Sequence, residues 1–180
     1  MKIFPFIFLF AFLPFLSQAQ VMKMDDETTD VTFKTRHLLG LLEGTVTGVN
    51  GTAVLDTNQM NQSYLRFALS PATFIHNENY VGPNLFKESC FDVKRNPEIN
   101  LVSSSITKLK GVNNYQFKGA LIVKGKSRDI SFSFTAVPNI GGFDYVFQFP
   151  INKKMYELKC AFGKEILIKV RAYGKRISQP

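Results

Sequence analysis

At 180 residues the chain has the length of one domain, and a hydrophobic fraction of 45% supplies an ample core. The formal charge of +8 is compatible with nucleic acid, an anionic membrane surface or acidic glycans. The lysines and arginines are scattered, without a run of four, which favours a solvated basic surface and argues against nucleic acid. With two histidines and two cysteines, none at finger-like spacing, the sequence argues against a metal site.

The chain opens with Met1-Lys2, an apolar run over 3–16, and then Ser17-Gln18-Ala19-Gln20. A basic start, an apolar centre shorter than the roughly 18 residues of a spanning helix, and small residues after it read as a secretory signal peptide over 1–19. Pro5 and Pro14 within the run argue against a membrane anchor. Cleavage is expected after Ala19, which removes Lys2 and takes the charge from +8 to +7. No cysteine lies at the cleavage point and no second long apolar run follows, so a soluble periplasmic or secreted protein is expected. Of the 18 phenylalanines, six leave with this segment and twelve remain.

Residues 21–30 are polar and acidic and read as a loose N-terminus or the lead-in to a strand. Val31 and Phe33 then alternate with Lys34 and Arg36, the period-two pattern of a strand. Residues 38–44 carry two glycines and no clean period and are expected to form a tight connection. Residues 45–56 are β-branched and glycine-punctuated, a bent strand. After a polar turn, Leu65, Phe67 and Leu69 share one face. Residues 76–83 cannot form a regular strand, which leaves His76 in a loop. Residues 84–91 suit two turns of helix with Leu85, Phe86 and Cys90 inward, too short to stand alone.

Strand resumes over 99–106. The stretch 115–136 holds two alternating runs, with Tyr115, Phe117, Leu121 and Val123 on one face of the first. Ile130, Phe132 and Phe134 line one face of the second, and 125–129 is the expected hairpin connector. Residues 143–149 alternate strictly, 156–160 read as an edge-like or irregular segment, and Ile166, Ile168 and Val170 share a face of the last strand. Short strands with turns between them and one short helix mean an all-β sandwich or barrel. In a barrel of about eight strands the apolar parity faces inward, and the interior is either filled by side chains or open to one small ligand.

Cys90 and Cys160 sit among apolar neighbours, which favours free, packed thiols, although export makes a disulfide chemically possible. His37 reads as a hydrogen-bonded structural residue at a strand end rather than a contact for a ligand head group. No Gly-x-Ser-x-Gly elbow, phosphate loop or dinucleotide fingerprint is present, and Asp92, Glu98 and Asp129 have no recognisable catalytic partner. No catalytic residue, cofactor or metal is therefore expected.

Four places carry a family resemblance: Val31-x-Phe33 leading to His37-Leu38 and Gly44, with Gly51 after; Asn84-Leu85 through Cys90-Phe91-Asp92 to Pro97-x-Ile99; Phe117-Lys118-Gly119-x-Leu121-x-Val123-x-Gly125; and Ile130-x-Phe132-x-Phe134. In this order they resemble the YceI-like family, exported lipocalin-like proteins associated with polyisoprenoid binding. Asn84 and Pro83 depart from it, standing where that family has a helix histidine and a nearby arginine. The resemblance implies a single domain over 20–180, an antiparallel lipocalin-like β-barrel of about eight strands with one short helix near the mouth. It implies a polyisoprenoid or other long-chain lipid inside, lined by Phe33, Phe67, Phe117, Leu121, Phe132, Phe134, Tyr145 and Phe147, with Leu85 and Phe86 helping to close the tube. The other readings are a solid-cored envelope interaction or stress-related protein, or a cationic surface for anionic lipid or glycan. Peripheral membrane contact is compatible with each, and the oligomeric state is open, a dimer included.

Overall fold

The computed structural model of the protein describes residues 20–37, 40–76, 82–160 and 163–177. The segment 1–19 read as a signal peptide and the tail 178–180 lie outside them. The strands are β1 (Val21–Asp25), β2 (Thr29–His37), β3 (Gly40–Val46), β4 (Asn50–Val54), β5 (Tyr64–Leu69), β6 (Ile75–His76), β7 (Ile99–Lys108), β8 (Asn114–Val123), β9 (Lys126–Asn139), β10 (Gly142–Asn152) and β11 (Glu165–Arg176). The helix α1 (Gly82–Phe86) has only five residues.

The strands form one antiparallel sheet that closes when β1 pairs with β11. Three pairs of segments each act as one bent strand. β1 pairs with β4 while β2 pairs with β3, and β5 and β6 continue the sheet along β4 and β3. Counted this way, the ring is an eight-stranded barrel. The bends fall side by side, and side chains stitch them where the backbone ladder is interrupted. The Asp26 carboxylate accepts from the Gly48 and Val49 amides at 3.0 and 2.7 Å, and the Thr73 hydroxyl donates to the Thr47 carbonyl at 2.6 Å. Polar side chains thus supply partners to backbone groups that the interrupted ladder leaves unpaired at this corner.

Several expectations are corrected. Residues 21–25 are the closing strand β1, not a loose terminus. The connection expected over 38–44 is strand from Gly40 onward; its Leu42 is buried while Leu41 is exposed, an alternation hidden by neighbouring leucines. His76 lies in the short strand β6 beside Gly44, where a Cβ would fall 1.9 Å from the Ile75 carbonyl oxygen. The β8–β9 turn is only Lys124-Gly125, both at positive φ (51° and 69°), so Lys126 already pairs with Val123. Two left-handed residues in succession are the two-residue hairpin turn that matches strand twist.

The helix has five residues rather than the eight expected over 84–91, and it starts earlier, at Gly82. After Lys87 the chain turns, with the Phe91 amide on the Leu85 carbonyl at 3.1 Å and Asp92 at φ 50°. The cysteines are not free: Cys90 and Cys160 form a disulfide with a Cα separation of 4.9 Å across 70 residues of sequence. Both sulfurs are buried, so apolar packing and a covalent bond coexist here. A loop of this length corresponds to roughly 4 kcal/mol of chain entropy removed from the unfolded state. Replacing both residues by serine should therefore lower the unfolding free energy by about 2–4 kcal/mol in a denaturant titration.

Candidate functional site

Alternation along the closed sheet sends one parity of every strand inward. Phe33 on β2, Phe67 on β5, Phe117 and Leu121 on β8, Phe134 on β9, and Tyr145 and Phe147 on β10 are all buried in one cluster, together with Leu85 on α1. Phe132 is half-buried against that cluster. Phe86 does not join it: at 36% exposure it faces outward, because a single helical turn buries Leu85 and rotates its neighbour away. Phe74, Phe91, Tyr115, Phe149 and Tyr156 also line the interior. Phe149 and Tyr115 share the inward parity of strands already legible in the sequence. Phe74 and Phe91 lie in irregular segments, where period gives no signal.

The rings touch one another along the barrel. Toward α1, Phe33 stacks on Phe74 at 4.9 Å, and Phe74 meets Phe91 edge-on at 5.6 Å. In the middle Phe67 meets Phe147 at 5.4 Å and Phe117 stacks on Phe132 at 4.6 Å. Toward the other end Tyr115 stacks on Phe134 at 5.4 Å.

The α1 end is firmly capped. The disulfide joins the 86–95 segment to the β10–β11 connection, and the Lys159 amide donates to the Ser89 carbonyl at 2.7 Å. The Tyr156 hydroxyl donates to the Leu121 carbonyl at 3.2 Å. Outside this cap lies a hollow of about 1050 Å³ lined by Phe86, Ser89, the cations Lys87, Lys94, Arg95, Lys124 and Lys159, and the carboxylates Glu88, Asp92 and Glu157.

The ladder between β9 and β10 is incomplete. These strands pair only from Asn139 and Gly142 to Phe134 and Phe147. Beyond that β9 continues along β8 to Lys126, and β10 continues along β11 to Asn152. The edges 126–133 and 148–152 therefore face each other without a ladder. Pro150 lies in this stretch and has no N–H to contribute. The Phe132 ring fills the seam instead, 5.8 Å from Phe147 and 6.0 Å from Phe149. Rings that meet across the gap leave no room for an inserted strand, which would need about 9.5 Å between its neighbours. The far end of the seam is tied by Arg128 Nε to the Met155 carbonyl at 3.1 Å and by Lys126 to Glu157 at 2.5 Å. Lys126, through that hydrogen bond and its charge, holds the Glu157 carboxyl below the ordinary range.

Polar groups are scarce inside. Among the described residues the buried polar side chains other than tyrosine are Thr29, Thr35, Ser63 and Asp92. Burial pushes the Tyr145 phenol well above its usual range, with Tyr115 adding to the effect, and burial raises Tyr115 as well. Both are neutral hydroxyls at any ordinary pH.

The sequence model of one family, the YceI-like domain, matches residues 22–173. No curated protein matches. Among solved structures, BcnA of Burkholderia cenocepacia superposes with a TM-score of 0.77 at 19% identity, covering 84% of this chain and 99% of its own. The YCEI protein of Campylobacter jejuni gives 0.62 at 13% identity, with 76% and 85% covered. A polyisoprenoid binding domain from Saccharophagus degradans, implicated in plant cell wall breakdown, gives 0.64 at 6% identity, with 89% and 100% covered. At these identities the likeness is one of fold.

The seam makes a local demand on Phe132. Phe132→Ala should cost about 2 kcal/mol, less than a fully buried phenylalanine, and should speed amide exchange selectively over 127–133 and 148–152. Exchange that rises uniformly across the barrel, or not at all, would mean that the two edges are held by something other than the ring.

Proposed function

The chain belongs to the YceI-like family, and we propose that it is an exported, non-enzymatic protein that holds a polyisoprenoid or similar long apolar molecule inside its barrel. The observation that carries this reading is the continuous apolar interior from Phe33 near α1 to Phe147 and Tyr145 toward the far end. An isoprenoid chain gains about 25 cal/mol for each Å² removed from water, so a ring-lined tube binds it without charged groups. The ring-to-ring contacts mean that a chain must part the rings and take over their contacts. Phe33, Phe67, Phe117, Leu121, Phe132, Phe134, Tyr145 and Phe147 are the proposed lining, and Leu85 closes the α1 end. The Saccharophagus degradans domain, named for polyisoprenoid binding, has the same fold and adds support. Export rests on the signal-peptide pattern over 1–19 and gains support from the Cys90–Cys160 bond, since disulfides persist in oxidising compartments.

A second reading has its own observation. The cap hollow carries five cations against three carboxylates, so a solid barrel could present it to anionic lipid or glycan. Organic extraction of the purified protein followed by mass spectrometry, with uptake of a fluorescent polyprenyl probe, separates the two. Carriage predicts a co-extracted isoprenoid or other long-chain lipid and uptake that salt does not change. No extractable lipid, no uptake, and salt-sensitive binding to acidic liposomes would replace it with the surface reading.

A further inference from the structure

The Tyr145 hydroxyl is buried and has no hydrogen-bond partner. A buried phenol without a partner bears its full desolvation cost with no hydrogen bond in return, which calls for a role outside the fold's own contacts. The barrel is built to hold this ring. The inward residues of β11 shrink toward it, from Ile166 and Ile168 through Val170 to Ala172 and Gly174. Tyr145 sits opposite Ala172 on one side and opposite Ala136 on the other. A Cβ at Gly174 would lie 2.7 Å from its ring. Tyr115, two strands away across Ala136 and Phe134, is close enough to add to the rise in the Tyr145 pKa. The two phenols lie at the end of the barrel away from α1 and the disulfide, among Phe134, Phe143 and Ala136.

We infer that Tyr145, with Tyr115 beside it, donates a hydrogen bond to an uncharged oxygen at the terminus of the apolar ligand, which places that terminus at the end opposite α1. The inference rests on the reading of the barrel as a lipid carrier and adds a selectivity to it. The donor is a neutral phenol, and among the described residues no cation is buried in the interior. A phosphate or diphosphate terminus would be buried there without a counter-charge, a far larger cost than a hydroxyl or carbonyl meets. The site therefore takes an alcohol, carbonyl or ether oxygen and rejects the charged derivative.

Geranylgeraniol, its diphosphate and the parent hydrocarbon lacking the oxygen are the probes, titrated into the wild type and Tyr145→Phe. The wild type should prefer the alcohol over the hydrocarbon by about fivefold, the worth of one net hydrogen bond, and over the diphosphate by more. Tyr145→Phe should erase the first preference, so that the alcohol and the hydrocarbon bind the variant alike. A preference that survives the substitution, or a wild type that binds the diphosphate best, overturns the assignment. Stability gives a reading without ligand. Loss of a spare hydroxyl should leave the denaturation midpoint unchanged or raised, whereas a lowered midpoint would show that the hydroxyl is already held within the fold. A wild type that binds none of the three probes removes the carrier reading itself, and the midpoint of Tyr145→Phe then decides on its own whether the donor is spare.

Discussion

The interior exists because β11 pairs on both edges. It runs beside β10 over its length, and its other edge is shared by β2 and β1. Without that second pairing the sheet is open, and its apolar parity would be a greasy face needing another layer. With it, alternation alone turns Ile166, Ile168 and Val170 inward while Lys169 and Arg171 stay in water. One strand thus supplies both the last rungs and the smallest inward residues of the barrel. Closure and the room for Tyr145 come from the same twelve residues.

A closed antiparallel barrel resists local opening, since parting any two strands breaks a row of backbone hydrogen bonds. Here that resistance is uneven. At the α1 end a covalent bond, the Tyr156 hydroxyl and several backbone contacts fix the cap. Between β9 and β10 the wall is held by the Phe132 ring and by ties at the seam's two ends. Stacked rings separate at a cost of about 1 kcal/mol a pair beyond area burial, while each backbone rung left open leaves a donor and an acceptor to be resolvated. One end is thus fixed by covalent and backbone bonds, and the β9–β10 seam by side-chain contacts.

The regular half of this design is legible in the sequence. Strict alternation in 143–149, in the two runs of 115–136 and in the last strand gives strands, faces and most of the lining. Other features escape for identifiable reasons. The bend at Gly48 is legible as the glycine-punctuated strand over 45–56, whereas the break near Thr73 leaves β6 two residues long, too few to show a period. Leu41 and Leu42 are identical neighbours with opposite fates, which hydropathy cannot separate. Cys90 and Cys160 are brought together by the cap, a contact across 70 residues that local pattern does not contain. Phe86 is inward only on a two-turn helix over 84–91, and the actual helix ends at Phe86 itself. Pro150, directly after the alternating run 143–149, carries a local signal for the seam, because proline has no N–H for a ladder.

The packed interior bears directly on how a carrier of this kind would work. A preformed hydrophobic tube wide enough for an isoprenoid would stand full of poorly bonded water or collapse when empty, and either state is costly. Rings packed directly against one another avoid both. Phe117 stacked on Phe132, Phe33 stacked on Phe74 and Phe67 edge-on to Phe147 bury in each other the surface that a chain would otherwise cover. Exchange of ring–ring for ring–chain contacts changes the buried area of the protein little, so the binding energy comes from the apolar surface of the ligand itself. Affinity then grows with the length of chain that fits, and a single polar contact at one terminus has only to choose among ligands of similar length.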